Sequence, residues 1–214
     1  MPAILVLLMP AGLALVSCGM CRAKNSAHAF TVGLMIMPLA GIAFFVFGFA
    51  LAFGNSAHGL LPPSLAILIG GDASPLDRGL GIGAVDDVAS KFEFGLTGVK
   101  GFCLAGISDP VIIAVFFFVM ALAVVAASIT AGAMAERWAW KNFLLYGAWI
   151  MLPVGLYANW IWGGGWLAQA GANWGWGHGA IDFAGSGVIQ GAGGVVALAG
   201  AICLGPRLGK YVGG

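Results

Sequence analysis

Five stretches of this chain are long and apolar enough to cross a lipid bilayer, and no other feature restricts its fold as much. They run over residues 3–17, 29–53, 111–135, 143–162 and 185–204. The hydrocarbon core of a bilayer is about 30 Å thick, so a crossing helix needs roughly 20 mostly apolar residues. Inside that core every backbone N–H and C=O must be paired within the segment, which selects helices over open strands. The apolar residues show neither strict alternation nor a polar stripe, as helices surrounded by lipid should. The expected fold class is an all-α membrane protein with five transmembrane helices. The first stretch is the shortest and starts beside Met1, so either its helix is clipped or the true start lies upstream.

Composition excludes the soluble alternatives. The chain is 61% hydrophobic and 8% charged, whereas charged residues make up about 25% of a soluble domain. Nine basic and eight acidic side chains cannot cover a globule of 214 residues. A soluble enzyme and a disordered chain are therefore excluded. A net charge of +1 lacks the basic excess that nucleic-acid binding needs. The 36 glycines suit close packing of membrane helices.

Loop charges predict the orientation. Arg22 and Lys24 follow the first stretch, Arg137 and Lys141 the third, Arg207 and Lys210 the fifth. These loops share one side, which the positive-inside rule makes cytoplasmic. The N-terminus is then outside and the C-terminus inside. The outer loop 163–184 has no Lys or Arg, and the long outer loop 54–110 has three bases against six acids. Within the long loop, residues 60–69 suit a short helix or re-entrant piece. Residues 70–83, rich in Gly with scattered Asp, read as irregular. No second domain is expected, so residues 1–214 form one transmembrane unit.

Several residues invite a functional reading beside a plainer one. Asp182 precedes the fifth stretch, where a carboxylate either caps the helix or shapes a cation-recruiting vestibule. Glu136 beside Arg137 reads as part of a loop ion-pair network rather than a transport residue. Trp160, Trp162, Trp166, Trp174 and Trp176 crowd the outer end of the fourth stretch. They suit the interfacial aromatic belt, or attraction of a small cation through a ring face. Gln190, the one strongly polar side chain of the fifth stretch, is either glue between helices or part of a pore lining. Phe116, Phe117 and Phe118 read first as packing.

Cys18 and Cys21 form an isolated C-x-x-C, read as packing rather than a metal or redox site. Leu15-Val16-Ser17-Cys18 matches a lipoprotein cleavage box, but no basic residue precedes it as a secretory signal would require. The motifs H-E-x-x-H, G-x-S-x-G and G-x-x-x-x-G-K-[ST] are missing from the sequence, so neither an enzyme nor a cofactor is expected.

Four motifs then resemble one family in their order along the chain. Asp182-Phe183-Ala184-Gly185-Ser186-Gly187-Val188-Ile189-Gln190 resembles the D-F-A-G-G-x-V-V-H signature of the ammonium transporter (Amt/Mep/Rh) family. Gly12-Leu13-Ala14-Leu15 with Arg22-Ala23-Lys24-Asn25 is similar to the end of its first helix and its R-x-K-N loop. Gly132-Ala133-Met134-Ala135-Glu136-Arg137 is similar to its G-A-x-A-E-R, and Trp162-Gly163-Gly164-Gly165 to its W-G-G-G.

The resemblance implies a fold of two inverted five-helix repeats plus one helix, of which this chain carries the first repeat. Its substrate path would lie at the repeat interface. A chain of this extent is either part of a longer protein or a divergent half-length member. The resemblance further implies transport of ammonium or ammonia across the plasma (inner) membrane by a homotrimer, with a cytoplasmic signalling regulator as a family partner.

Site roles follow position by position. The vestibule tryptophan falls on Trp162, the structural carboxylate on Asp182 and the outer aromatic on Phe118. The gating Phe falls on Leu122, and the first of the paired pore histidines on Gln190. Both of these depart from the family pattern. Leu122 can close a gate sterically but has no π face. Gln190 can hydrogen-bond ammonia but cannot titrate. These departures motivate an alternative, a membrane sensor or regulatory subunit that binds ammonium without conducting it. A further reading is a five-helix half that packs but does not transport alone.

Overall fold

The computed structural model describes residues 2–54, 80–82, 94–98, 101–168 and 170–209. Five helices of membrane length dominate it: α1 Pro2–Gly19, α2 Ala23–Phe53, α3 Pro110–Ala133, α4 Trp140–Ile161 and α5 Ser186–Leu204. Each expected stretch lies inside one of them or overruns its end by no more than two residues. The suggested helix at 60–69 lies outside the described residues. Within 70–83 the irregular reading is corrected at one point: Leu80–Ile82 (β1) pairs antiparallel with Phe94–Thr97 (β2). Leu80 and Ile82 alternate with Gly81 and Gly83, so the strand's period of two is hidden among turn-forming glycines.

The start of α3 is stated directly in the sequence: Asp109 Oδ1 accepts the Val111 N–H at 2.7 Å, and Pro110 fills the first turn, where no N–H is needed. Its 24 residues rise about 36 Å, enough to span the hydrocarbon. α3 is the core of the bundle. Ala121, Ala123, Ala126 and Ala127 are fully buried, and α1, α2, α4 and α5 all pack on it. Without a hydrophobic drive between helices in lipid, association rests on close van der Waals fit.

Glycines supply that fit at several seams. A Cβ on Gly33 of α2 would sit 2.6 Å from Ala14 Cβ of α1. One on Gly193 of α5 would sit 2.9 Å from the Ala126 carbonyl of α3. The helices α2 and α4 run side by side in the same direction. His28 meets Trp140 near their starts, Gly147 meets Leu39, and Gly155 meets Gly48 further along.

Two helices contain a wider turn. In α2, residues Phe44–Gly48 form a π-helical turn, and Gly48 makes room for the Phe44 ring, 2.6 Å from where its Cβ would be. That ring joins Phe49 and Phe116 in the core, with centroids 6.2 and 6.0 Å away. The second wide turn, Ser186–Gly191, opens α5. At the same end of the bundle, the Trp160 Nε1 donates to the Leu96 carbonyl of β2 at 2.9 Å, tying the hairpin to α4.

Candidate functional site

The loop entering α5 is bent by two left-handed residues, Ala184 (φ 58°) and Gly185 (φ 85°). Gly185 has no alternative: besides its φ, a Cβ there would lie 2.7 Å from Ile189 Cγ1 and 3.4 Å from the Trp162 ring. The reversal folds the Asp182 carboxylate over the first turn of the helix. Its Oδ1 accepts from the Ser186 hydroxyl at 2.7 Å and the Gly187 N–H at 3.2 Å; Oδ2 accepts from the Val188 N–H at 2.7 Å. The carboxylate therefore satisfies donors that a helix start leaves free and opposes the positive end of its dipole. The plainer reading of Asp182, a helix cap, is what its contacts describe.

Trp162 meets the same residue from the other side. It ends α4, and its indole Nε1 donates to the Asp182 backbone carbonyl at 3.2 Å. Asp182 thus joins α4 through its backbone and α5 through its side chain. The other tryptophans stand apart from this junction. Trp160, Trp166, Trp174 and Trp176 follow one another ring to ring, with centroids 5.7, 6.1 and 5.5 Å apart. That ladder, with Trp160 bonded to β2, was not separable from Trp162 in the sequence, where all five read as one belt.

The remaining candidates lie on α3 and α5. Phe118 and Leu122 are one turn apart and so share a face of α3. Phe118 is exposed, while Leu122 is half-buried against the core. Of the three consecutive phenylalanines, Phe116 is the one inside the aromatic core. Gln190 sits in the wide turn of α5: its N–H and that of Ile189 both donate to the Gly185 carbonyl, each at 3.0 Å. Val188 and Ile189 point into the core while Gln190 is exposed. Gln190 lies on the open side of α5 with Gly194, Val195 and Leu198. Turns of this kind recur at functional sites because they re-aim a side chain without ending the helix.

Asn159 was missed by the sequence reading, although it is a polar residue inside an apolar span. It is fully buried, and its Nδ2 donates to the Ala52 carbonyl of α2 at 3.0 Å. Gly163, first glycine after Trp162, packs on that same carbonyl. This fixes where α4 ends and hence where Trp162 projects.

The opposite end of the bundle holds a second polar centre. Glu136, in a left-handed conformation (φ 65°), turns a side chain only 1% accessible into the bundle end. Its Oε1 accepts from Asn25 Nδ2 at 2.5 Å, from the Arg22 N–H at 3.2 Å and from Arg22 Nε at 3.3 Å. Its Oε2 is 3.0 Å from Arg207 Nη1. Arg137 donates to the Gly205 carbonyl at 2.6 Å and to Ala133. The Asn25 amide holds the Glu136 carboxyl below its ordinary range; burial opposes this, and Arg22 adds to it. The loops after α1, α3 and α5 therefore meet at one end, as their shared charge predicts. Burial, then Glu136, pushes the Cys21 thiol up. Among the described residues no cluster of three or more His, Cys, Asp or Glu side chains is placed to hold a metal ion.

Five membrane-length helices knotted at one end by a buried carboxylate, and joined at the other by a tryptophan and an aspartate cap, define a multi-pass all-α membrane protein. Its relatives make the class specific. The chain belongs to the Ammonium Transporter Family, whose model matches residues 1–214. It is 36% identical over 211 residues to the ammonium transporter Amt2 of Archaeoglobus fulgidus, covering 97% of this chain and 37% of that protein. It is 35% identical over 210 residues to the ammonium transporter of Bacillus subtilis, covering 96% and 42%. A solved structure called Sensor Amt Protein superposes with a TM-score of 0.74 at 27% identity, over 99% of this chain and 44% of that one. The chain thus spans about two fifths of the length of these relatives.

Proposed function

We propose that this chain forms one wall of a path for ammonium or ammonia across the plasma membrane. The observation that carries this reading is the junction of Trp162 and Asp182, which places the W-G-G-G tryptophan on the D-F-A-G aspartate at the mouth of α5. The names of the relatives support the substrate. In this reading the Trp162 ring face and Phe118 attract the cation at the outer vestibule, a contribution of about 0.5–2 kcal/mol for one ring. Asp182 acts by holding α5 and Trp162 in register. Leu122 closes the entry sterically, and Gln190 faces the lumen.

A bare cation entering an apolar tunnel loses its hydration at a cost of several kcal/mol. Ammonium therefore gives its proton to water in the outer vestibule before the narrow part, and neutral ammonia passes. Gln190 offers an amide to hydrogen-bond ammonia but carries no titrating nitrogen, so proton release belongs to the outer vestibule. The orientation follows the basic loops, with the Glu136 end cytoplasmic and the N-terminus outside. The working assembly is a homotrimer that a cytoplasmic signalling protein can regulate. The reading includes no enzymatic step and no cofactor.

Uptake of labelled methylammonium by cells making the full-length protein tests the reading. Trp162→Leu should raise the half-saturating concentration about 2- to 30-fold, the equivalent of the ring's contribution, with the maximal rate little changed. An unchanged concentration dependence would refute the vestibule role. A second reading, a sensor that binds ammonium without passing it, is favoured by Leu122 and Gln190 and by the name of the solved neighbour. Ammonium currents from the reconstituted protein would exclude it.

A further inference from the structure

Hydroxyl side chains within these helices turn back on their own helix, with one exception. Ser17 donates to the Leu13 carbonyl at 2.8 Å, Thr31 to that of Ala27 at 2.9 Å and Ser128 to that of Val124 at 2.9 Å, each one turn earlier. Thr130 is fully buried in α3. The carbonyl one turn before it, on Ala126, stands 3.5 Å away, and its Oγ1 donates instead to the Gly193 carbonyl of α5 at 3.0 Å. The two helices touch at the same point, where a Cβ on Gly193 would lie 2.9 Å from the Ala126 carbonyl and 3.2 Å from Ile129 Cδ1.

Hydrogen bonds from outside α5 therefore hold it at three levels. Trp162 holds the Asp182 carbonyl before its first turn, Thr130 holds the Gly193 carbonyl within it, and Arg137 holds the Gly205 carbonyl after its last turn. The wide turn Ser186–Gly191 lies between the first two. A wide turn carries one residue more than a regular one. Relaxing it would rotate the two parts of α5 by about 100° and slide them about 1.5 Å past each other. Each part is bonded to a different helix, so the extra residue stays. Beyond the wide turn Gln190, Gly194 and Leu198 are exposed while Ile189, Gly193 and Ala197 are buried. Both sets recur every fourth residue, so Gln190 keeps the register of the part that Thr130 holds.

We infer that Thr130 is a positioning residue for Gln190: its hydroxyl, on the Gly193 carbonyl, holds the register in which the wide turn aims the Gln190 amide to the open side of α5. Valine has the same shape as threonine and no hydroxyl, so T130V leaves that register to packing alone. The consequence for transport rests on the reading that Gln190 faces the lumen. The consequence for the wide turn rests only on the hydrogen bonds.

Amide exchange of the full-length protein in lipid nanodiscs, compared for wild type, T130V and T130S, tests it. A hydrogen bond between membrane helices changes an equilibrium by about 3- to 20-fold. In T130V the Gln190 and Ala192 N–H groups, which donate across the wide turn to Gly185 and Gly187, should exchange faster by that factor. The Val188 N–H, held by Asp182, should keep its rate. T130S retains the hydroxyl and should match wild type. In methylammonium uptake T130V should lower the maximal rate and leave the half-saturating concentration, set at Trp162, unchanged. With Q190L already present, T130V should lower the rate no further. Exchange that is unchanged in T130V, or that rises evenly along α5, overturns the inference, as does a T130S that behaves like T130V. A slow Q190L beside a T130V as fast as wild type also overturns it. A Q190L as fast as wild type instead refutes the lumen role of Gln190, and the exchange pattern then decides on Thr130 alone.

Discussion

Replacing Asp182 separates its side chain from its backbone, because each serves a different helix. In Asp182→Ala the Trp162 bond to the backbone carbonyl is retained, while the Ser186, Gly187 and Val188 donors lose their acceptors. Loss of an N-cap costs about 0.5–2 kcal/mol, and a hydrogen bond to a charged acceptor is worth about 1.5–3 kcal/mol. The site is half-buried, so water reclaims part of the loss. The expected net cost is about 2–3 kcal/mol, roughly a 30- to 150-fold fall in the folded-to-unfolded ratio. Asp182→Asn keeps one acceptor oxygen and should lose about half as much. Unfolding by sodium dodecyl sulfate in mixed micelles gives the order wild type, Asn, Ala. Amide exchange should rise at Gly187 and Val188 but not at Trp162. An alanine variant as stable as wild type, or no weaker than the asparagine variant, would show that the carboxylate does not hold the start of α5.

Three further outcomes follow from the same structure. Glu136→Gln should lower the melting temperature in detergent. In the wild type the carboxyl is held below its ordinary value of 4.5. Its stabilising contribution is therefore complete above about that pH and lost as pH falls through the depressed folded-state value. The glutamine variant should lose this acid-dependent drop, and a parallel drop in both proteins would refute the assignment. Gly193→Val should cost about 1–3 kcal/mol by overpacking α5 against Ala126 and Ile129, read as a lower unfolding midpoint. Gly194→Val, where nothing lies within 4 Å, should be near neutral in the same assay.

Much of this architecture is written in residue types. A run of apolar residues as long as a bilayer is thick leaves few options, so all five helices and their common basic end are legible without coordinates. Asp109 followed by Pro110 announces the start of α3, and Asp182 announces that of α5. What stays hidden depends on neighbours in space. The wide turns at Phe44–Gly48 and Ser186–Gly191 come from how a ring or a loop packs, and no local pattern marks them. Five outer tryptophans look alike in the sequence, yet one caps the α4–α5 junction and the other four stack away from it. Glu136 could be read as an ion-pair residue, but its second arginine, Arg207, could not be chosen from sequence distance alone. The β-hairpin was missed because glycine occupies every second position of β1.

The Glu136 clasp also sets an order of events during synthesis. Arg22 and Asn25 leave the ribosome before Glu136, but Arg207 emerges about 70 residues later, several seconds at ~5–20 residues per second. Until then one carboxylate oxygen has no cation beside it. The first three helices can already be in the bilayer while that debt of charge stands open. Arrival of the α4–α5 hairpin closes it, so a nascent chain that stalls before Arg207 keeps a carboxylate oxygen of Glu136 without its arginine.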